Sequence, residues 1–388
     1  MYISAAAVIS AAAGALIFAR GFLLVRVEIV GSNTCGDGAS FVPSSSASAG
    51  RCDPLSARSS FSSFSLGSEC WTEPLFARTI ILVVDALRWD FAAPGECWGA
   101  LGPGGSPHSG AHCGAMPLVT SLLSTRPAHA SLVLATADPP TVTMQRIKAI
   151  TTGGLPTFID ASANFAMTGA AVREDSWVSQ LSRAAAVHNL SGAAFWGDDT
   201  WLALFPKNMS IGGAPWAHGA SPQGSFDTRD LDGADARSGA GLLKALHSRP
   251  LPQWRVGVLH TLGVDHAGHS FGADSSQMRK KLADADALIS DLAKALEAAA
   301  VIDGAPALLI VLGDHGMTED GNHGGAARDE AAAALMAFSF GRPLLRVRPT
   351  ESLAEKSPPP PQWRSWTWYP RFHSRWAYPF PLHRLARC

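Results

Sequence analysis

The stretch LGDHGMTEDGNHGG, residues 312–325, combines two histidines and several carboxylates with five glycines at the end of the apolar run APALLIVL. A surface loop has no need of so many ligand-type side chains, and a core does not tolerate unpaired charges. Aspartate and histidine together are good ligands for zinc or another borderline divalent ion. Glycines allow the backbone to fold tightly around such an ion. The stretch therefore predicts a metal-binding loop.

Three acidic residues follow apolar runs that are typical of buried strands. Asp85 follows IILVV, Asp265 follows VGVLHTLGV, and Asp314 follows LLIVLG. In open α/β sheets, ligands bind in the crevice beyond the carboxyl ends of the strands. Three carboxylates that meet at one edge repel each other unless a cation lies among them. Their placement therefore favours a cation site.

Histidines accompany two of these acids. His269 lies in the motif DHAGH, and the motif DHGMTEDGNH carries His315 and His323. A single strand-end aspartate is commonly a cap, and a single histidine is more often a surface or core residue than a ligand. Three such acids with two histidine clusters predict a metal site. Several other histidines are interpreted as ordinary surface or core residues: His108, His112, His129, His218, His247, His260 and His266.

A candidate nucleophile lies in DPPTVTMQRIKAITTGGLPTF, residues 138–158. The pattern places Thr143 at the N-terminus of a helix, where backbone N–H groups and the dipole favour an anion. A hydroxyl beside a divalent cation loses its proton more easily, and two cations stabilise an in-line displacement at phosphorus. The alternative, a threonine that caps the helix, is compatible with this role.

The elements that must position these residues follow an α/β pattern. RTIILVVDALRWD, WRVGVLHTLGVD and PALLIVLGDHG are typical of buried strands, and residues 275–300 have helical periodicity with a serine N-cap. Strand, helix and strand in this order predict a parallel sheet with crossover helices. The 388 residues carry a net charge of -1. This near-neutral balance argues against a nucleic-acid partner.

Residues 1–30 are almost wholly apolar, which favours a transmembrane helix or signal anchor over the alternative of a buried alanine-rich helix. Arg20 and Arg26 follow the apolar run, and the positive-inside tendency would place the rest of the chain in the cytoplasm. The acceptor tripeptides at Asn189 and Asn208 instead indicate a lumenal domain with glycosylated surface loops.

The rest of the chain divides by composition. Residues 31–70 are rich in serine and glycine and predict a linker or loop, and residues 71–350 form the predicted catalytic domain. Residues 351–388, rich in proline, tryptophan and arginine, have neither helix nor strand pattern. They form either an interfacial aromatic–cationic tail or, the favoured interpretation, a non-native tail. The six cysteines lack C-x-x-C spacing, and their pairing stays open.

The order of these motifs resembles the alkaline phosphatase superfamily. Longer stretches, from about residue 21 to about residue 345, resemble GPI ethanolamine phosphate transferases of the third type. These stretches are GFLLVRVE, VVDALRWDF, DPPTVTMQRIKAITTGGLPTFIDASANF, EDSWVSQL, FWGDDTWLALFP, LGVDHAGHSFG and GDHGMTEDGNHGG. The resemblance implies an α/β, alkaline-phosphatase-like core, a mostly parallel sheet sandwiched by helices, with an N-terminal membrane anchor helix.

The resemblance also implies the roles of the site residues. Thr143 would be the nucleophile. The first of two divalent ions, expected to be Zn²⁺, would be held by Asp85, Thr143, Asp314 and His315. The second ion would be held by Asp265, His269 and His323.

The reaction that the resemblance implies transfers phosphoethanolamine from phosphatidylethanolamine to a mannose hydroxyl, that of the third mannose, of a GPI precursor. It implies the endoplasmic reticulum membrane, a lumenal catalytic domain and a small multi-span partner subunit. Such transferases continue into many membrane spans, whereas no further apolar run of about eighteen residues follows here. We therefore expect the C-terminal part of the domain to be missing.

Two alternatives to the transferase stay open. One is a metal-dependent phosphodiesterase or pyrophosphatase of the same superfamily, which passes the phosphoryl group to water. The other is an inactive, truncated product that binds only lipid or a partner subunit. A sulfatase is disfavoured because the sequence has no C-x-P-x-R motif.

Overall fold

A computed structural model describes residues 5–22, 75–93, 110–155, 171–188, 192–206, 216, 220–225 and 227–344. The predicted linker over residues 31–70, the tail over residues 351–388, and the glycosylation candidates Asn189 and Asn208 lie outside the described residues.

Seven strands form one sheet, in the order β2-β7-β6-β1-β5-β3-β4. The strands are β1 (Arg78–Val84), β2 (Ala130–Thr136), β3 (Ala193–Asp198), β4 (Ala220–Gln223), β5 (Val256–Thr261), β6 (Ala307–Leu312) and β7 (Ala332–Phe340). The three strands predicted from their apolar runs are β1, β5 and β6, and they lie side by side at the centre. Every residue of these three strands is buried, as their unbroken apolar sequences indicate.

Four neighbouring pairs of strands, from β6 to β4, are parallel. Strand β7 is the exception, because it runs antiparallel to both β6 and β2. The physical reason lies in the connection, since a parallel return requires a crossover that packs across the sheet. Residues 313–331 between β6 and β7 instead form the glycine-rich loop and one short helix. The α/β fold predicted from the sequence is confirmed, with a mixed sheet.

The described part of the chain also contains helices, and helices that follow the first one cover both faces of the sheet. The helices are α1 (Ala5–Phe22), α2 (Trp89–Ala92), α3 (Pro117–Thr125), α4 (Thr143–Thr152), α5 (Trp177–His188), α6 (Thr200–Leu204), α7 (Gly233–His247), α8 (Gly263–Phe271), α9 (Ser276–Asp303) and α10 (Arg328–Ala331). The predicted crossover helix is α9, and its serine cap is confirmed because the Ser275 hydroxyl accepts a bond from the Met278 N–H at 3.1 Å.

Side chains of β1 alternate between two hydrophobic clusters, one on each face of the sheet. Leu82 belongs to the cluster that contains residues of α7 and α9. Val83 belongs to the cluster that contains residues of α4, α5 and α6. Successive side chains of a strand point to opposite faces. The central strand is therefore held from both sides, and this fixes the position of its carboxyl end.

Helix α1 falls within the predicted membrane anchor. Residues 9–18 of this helix are exposed, which argues against the alternative of a buried helix. Within the residues that the structure describes, no helix combines the length and the apolar character needed to cross a bilayer. The anchor over residues 1–30 stays a prediction.

We expect Leu82→Ala to lower the free energy of unfolding by about 2–5 kcal/mol, because it removes a buried side chain from the central strand and leaves a cavity. The matched control is Leu134→Ala on strand β2, where 52% of the leucine is exposed and the change should stay within about 0.5 kcal/mol. Urea denaturation followed by circular dichroism measures both. Equal losses would contradict the central placement of β1.

Candidate metal centre

The carboxyl edge of the sheet, where β1, β3, β5 and β6 end, collects four acidic residues. Asp85 follows β1 directly, and Asp314 lies two residues after β6. Asp198 is the last residue of β3, and Asp265 lies in α8, just after β5. Because these four strands run in the same direction, their carboxyl ends meet at the same edge.

The first group of ligand-type side chains consists of Asp85, Asp314 and His315, all buried. Nε2 of His315 lies 3.4 Å from Oδ1 of Asp85 and 3.3 Å from Oδ2 of Asp314. The Thr143 hydroxyl lies 3.3 Å from the same nitrogen. The structure thus brings together all four residues that the sequence analysis assigned to one ion.

The second group consists of Asp265, His269 and His323. Oδ1 of Asp265 lies 3.5 Å from Nε2 of His269 and 3.4 Å from Nε2 of His323. The rings of His315 and His323 are stacked with centroids 4.0 Å apart. The two groups are therefore adjacent, as a two-ion site requires.

The free atoms of both groups fit a divalent cation. Three carboxylate oxygens are buried without a hydrogen-bond partner, and each faces an imidazole of its group: Asp85 Oδ1, Asp314 Oδ2 and Asp265 Oδ1. Nε2 of His269 and Nε2 of His323 lie only 3.1 Å apart. Unpaired buried oxygens and converging imidazole nitrogens are stabilised together by a borderline metal ion.

The orientation of two imidazoles is set by backbone carbonyls. Nδ1 of His315 donates to the Gly316 carbonyl at 2.8 Å, and Nδ1 of His323 donates to the Thr141 carbonyl at 2.7 Å. A carbonyl oxygen only accepts, so each ring carries its hydrogen on Nδ1. Nε2 of each ring then presents a lone pair to its group. This is the arrangement in which histidine binds metals.

Burial and mutual repulsion shift the pKa values of the first group. Burial, followed by the charges of Asp314 and Asp265, raises the pKa of Asp85 well above its ordinary value. Burial also raises the pKa of Asp314. Burial, followed by the charge of His323, lowers the pKa of His315 well below its ordinary value. A bound cation would oppose the two raised carboxyl pKa values, since it favours ionised carboxylates, and it would act in the same direction as burial on His315, since it favours neutral imidazole.

The segment before α4 fastens the glycine-rich loop. The Thr141 hydroxyl donates to the Gly325 carbonyl at 3.0 Å and accepts from the Gly324 N–H at 2.9 Å. The Glu330 carboxylate accepts from the N–H groups of Gly325 and Ala327, at 2.8 and 2.7 Å. These bonds fix the position of His323 beside the other two members of the second group, Asp265 and His269.

Gly321 allows the same loop to pass close to α8. Its φ is +80°, and a Cβ at this position would overlap the backbone carbonyl of Gly268. Only glycine combines this conformation with so close an approach. The glycines of the motif thus serve loop geometry, as the sequence analysis predicted.

Thr143 is the first residue of α4, which confirms the predicted helix start. The preceding residue, Val142, has no side chain that caps the helix, so the N–H groups of the first turn have no side-chain cap. The buried Arg146 donates from Nε to the Asp314 carbonyl at 3.0 Å and from Nη1 to the Asp138 carbonyl at 3.1 Å. Arg146 therefore holds α4 against the first group.

Two residues at this edge were missed by the sequence analysis. Nε2 of His260 lies 3.5 Å from Oδ2 of Asp85, and Nδ1 of His260 lies 3.6 Å from Oδ2 of Asp198. The interpretation of His260 as an ordinary core residue was therefore incomplete. The strand-end rule applied to the other acids would have found Asp198, which ends the run AAFWGD. The sequence signal for His260 was a single imidazole side chain within the largely apolar strand β5.

The remaining histidines that the structure describes lie elsewhere. Rings of His112 and His266 are buried, His129 is partly buried, and His247 is exposed. His108 and His218 lie outside the described residues. Cys113 is disulfide-bonded.

Comparison with known proteins gives the class to which this fold and site belong. The profile of the type I phosphodiesterase / nucleotide pyrophosphatase family matches residues 158–359, more than half of the chain. The chain belongs to this family. Its relatives within the family include GPI ethanolamine phosphate transferases of the third type, as the resemblance of the motifs predicted.

The human GPI ethanolamine phosphate transferase 3, catalytic subunit, is 37% identical over 84% of this chain and 26% of its own length. GPI ethanolamine phosphate transferase 3 of Saccharomyces cerevisiae is 36% identical over 72% of this chain and 25% of its own. The chain thus spans about a quarter of the length of these relatives. The solved periplasmic domain of EcEptC from Escherichia coli, in complex with Zn, has a TM-score of 0.43, 9% identity, and coverage of 69% and 74% of the two chains. That likeness is too low to bear on the site.

We expect His323→Ala to lower the zinc content of the purified chain by about one ion, because it removes one imidazole from the second group. The matched control is His247→Ala, an exposed histidine of α7. Metal analysis after dialysis against zinc-containing buffer measures both. Equal zinc content in the two variants would exclude His323 as a ligand.

We expect Asp85→Asn to change how the stability of the metal-free chain depends on pH. The raised pKa means that folded Asp85 keeps a proton that the unfolded chain has lost, from pH 3.8 up to that raised pKa. Stability therefore falls in this window as pH rises, by up to about 1.4 kcal/mol per pH unit. The asparagine variant lacks this fall.

Urea denaturation with a chelator present, between pH 5 and 7, measures this difference. The control is Asp291→Asn, an aspartate with an exposed side chain, which should keep the slope of the unchanged chain. Identical slopes for all three chains would show that Asp85 does not carry the effect.

Proposed function

We propose that the chain is a phosphoethanolamine transferase domain that acts through Thr143 and two divalent ions, Zn²⁺. The observation that carries the proposal is the position of the Thr143 hydroxyl. It lies at the N-terminus of α4 and 3.3 Å from Nε2 of His315, in front of the unpaired oxygens of Asp85 and Asp314. The sequence similarity to GPI ethanolamine phosphate transferases of the third type supports phosphoethanolamine as the transferred group.

In the first step, the Thr143 oxygen attacks the phosphorus of phosphatidylethanolamine. A bond forms between this oxygen and phosphorus, and the bond to the diacylglycerol oxygen breaks. The proton lost by Thr143 is balanced by the proton that the diacylglycerol oxygen takes up as it leaves as a hydroxyl. Two divalent ions held by the two groups would favour the ionised hydroxyl and stabilise charge on the attacking and leaving oxygens. The N–H groups of the first turn of α4, which have no side-chain cap, would serve as donors to the phosphoryl oxygens.

In the second step, a mannose hydroxyl of the GPI precursor attacks the phosphorus of the Thr143 adduct. The new bond joins the sugar oxygen to phosphorus, and Thr143 leaves with a proton returned to its oxygen. The type of the relatives supports the 6-hydroxyl of the third mannose as acceptor. The human GPI ethanolamine phosphate transferase 2, catalytic subunit, is 33% identical over 70% of this chain. The acceptor used by transferases of the second type is therefore the alternative to the third mannose.

The location of the chain forms part of the same proposal. Residues 1–30 would anchor it in the endoplasmic reticulum membrane, with the catalytic domain in the lumen and Asn189 and Asn208 as glycosylation sites. The apolar composition of residues 1–30 and the two tripeptides support this arrangement. A small multi-span partner subunit and the two lipid substrates complete the proposed assembly, which includes no nucleic acid.

A second candidate function is a phosphodiesterase that passes the phosphoryl group to water. The name of the matching family favours it. The first step is the same in both cases, and only the acceptor of the second step differs. The third possibility is an inactive chain that binds only lipid or a partner subunit. In that case Thr143 would not react with phosphatidylethanolamine.

Intact-mass analysis of the zinc-loaded chain after incubation with phosphatidylethanolamine tests the first step. We expect a phosphoethanolamine adduct, its loss in Thr143→Ala, and its partial return in Thr143→Ser, which keeps a hydroxyl. Thr125→Ala, an exposed threonine of α3, is the matched control and should keep the adduct. An adduct that persists in Thr143→Ala would remove Thr143 from the role of nucleophile.

The fate of the adduct separates the candidate functions. Loss of the adduct on addition of a mannosylated GPI glycolipid, with the label transferred to that lipid, supports the transferase. Loss at the same rate without the glycolipid supports the phosphodiesterase. A folded, zinc-loaded chain that forms no adduct supports the inactive product.

A further inference from the structure

Two buried side chains outside the first group, Trp201 and His260, connect in series to its member Asp85. The indole N–H of Trp201 donates to Nδ1 of His260 at 2.9 Å. On the other side of the ring, Nε2 of His260 lies 3.5 Å from Oδ2 of Asp85. Neither Trp201 nor His260 has a part in the chemistry described above.

The bond from Trp201 determines where His260 carries its hydrogen. An indole N–H can only donate, so Nδ1 of His260 must accept and carries no hydrogen. The hydrogen of the neutral ring is then on Nε2, the atom that faces Asp85. This is the opposite tautomer from that of His315 and His323, which carry their hydrogens on Nδ1 because they donate to carbonyls.

This tautomer decides between two roles for His260. Ligand atoms of Asp85, Asp198 and His260 lie close enough together to hold a metal ion. However, Nε2 has no lone pair to offer while it carries the hydrogen, and the lone pair of Nδ1 is used by Trp201. A third ion at this position is therefore disfavoured, and a hydrogen-bond donor to Asp85 is favoured.

We propose that His260 is a positioning residue that orients the Asp85 carboxylate toward the metal centre. Nε2 of His260 faces Oδ2 of Asp85, and this leaves Oδ1 free, 3.4 Å from Nε2 of His315. A carboxylate with one oxygen held by a donor presents the other oxygen to the ion in a fixed direction. The inference rests on the metal-dependent function proposed above.

The distance of 3.5 Å is longer than an ordinary hydrogen bond. It nevertheless places the ring N–H of His260 opposite a carboxylate oxygen, a pairing that makes some of the stronger hydrogen bonds in proteins.

The surroundings hold Trp201 and His260 in place. The Trp201 ring packs against the rings of Phe195 and Trp216, with centroids 5.9 and 6.1 Å away. Beside His260, Gly197 has a φ of +116°, and a Cβ there would overlap the His260 backbone. The close approach of Gly197 fixes the backbone of His260 against β3, and the hydrogen bond from Trp201, which is itself held by the aromatic cluster, fixes the orientation of the ring.

The carboxylate of Asp198 also lies beside the ring of His260, but it does not accept the ring hydrogen. Its Oδ1 accepts from the Thr200 N–H at 2.8 Å, so the start of α6 fixes the carboxylate. Its Oδ2 lies 3.6 Å from Nδ1 of His260, which has no hydrogen to donate while Trp201 occupies it. Asp198 therefore acts on the site through its charge, not through a bond to His260.

Zinc affinity of the full chain, measured by competition with a chromophoric chelator, tests this role with three variants. His260→Leu removes the donor and should weaken binding of one ion by about 10–100-fold. His260→Gln keeps an N–H donor and should recover most of that loss. Trp254→Phe is the matched control, since this buried indole lies before the start of β5 and packs against Trp196, in the hydrophobic cluster that does not contain Trp201. It should leave affinity unchanged.

The fourth variant, Trp201→Phe, is read by NMR of the zinc-loaded chain with ¹⁵N-labelled histidine. The spectrum of the unchanged chain should contain a ring signal with the hydrogen on Nε2 and no metal-shifted nitrogen, and this signal should be absent from His260→Gln. Trp201→Phe should let part of the hydrogen move to Nδ1, because the competing donor is gone. This measurement needs no turnover and no lipid.

Three results would overturn the positioning role. One is a His260 signal with hydrogen on Nδ1 or with a metal-shifted nitrogen. Another is a third zinc ion per chain that disappears in His260→Leu. The last is equal zinc affinity in His260→Leu and Trp254→Phe. Absence of a phosphoethanolamine adduct, with the expected affinities and tautomer, would reject only the proposed transferase reaction.

Discussion

The site depends on electrostatic repulsion among buried carboxylates. Four aspartates meet at the carboxyl edge of the sheet, and the fold does not neutralise them with lysine or arginine side chains in the described residues. Asp85 shows the effect most clearly, because burial, and then the charges of Asp314, Asp265 and Asp198, raise its pKa. Such a cluster is costly as bare charge and becomes favourable around divalent cations. The imidazoles bring no negative charge of their own, and they supply the remaining lone pairs.

Rigid supports turn this cluster into a site with fixed geometry. Backbone carbonyls set the tautomers of His315 and His323, and Thr141 ties the glycine-rich loop to the segment before α4. Arg146 donates to two backbone carbonyls and lies 3.8 Å from the carboxylate of Asp138, which is not one of the four aspartates, so it positions α4 beside the site. Ligands held by such outer contacts lose less entropy when an ion binds.

The family includes phosphodiesterases and pyrophosphatases as well as transferases, and the geometry explains how one site serves them. In the function proposed above, a threonine nucleophile beside two metal positions would perform the same first displacement in each case. The reactions differ only in the oxygen that attacks the adduct. Specificity of acceptor is therefore a property of the surfaces around the site, while the carboxyl edge of the sheet supplies chemistry common to all.

Local sequence determined much of this protein. Continuous apolar runs specified β1, β5 and β6, a serine cap and helical periodicity specified α9, and strand-end positions specified Asp85 and Asp314. Only the tertiary structure decided the direction of β7 and the role of His260. Parallel pairing sets His260 level with Val83 on one side and with Gly197 on the other, and Trp201 then selects the tautomer of its ring. Strand register and the partner of a ring nitrogen depend on residues far apart in the chain, so no local pattern encodes them.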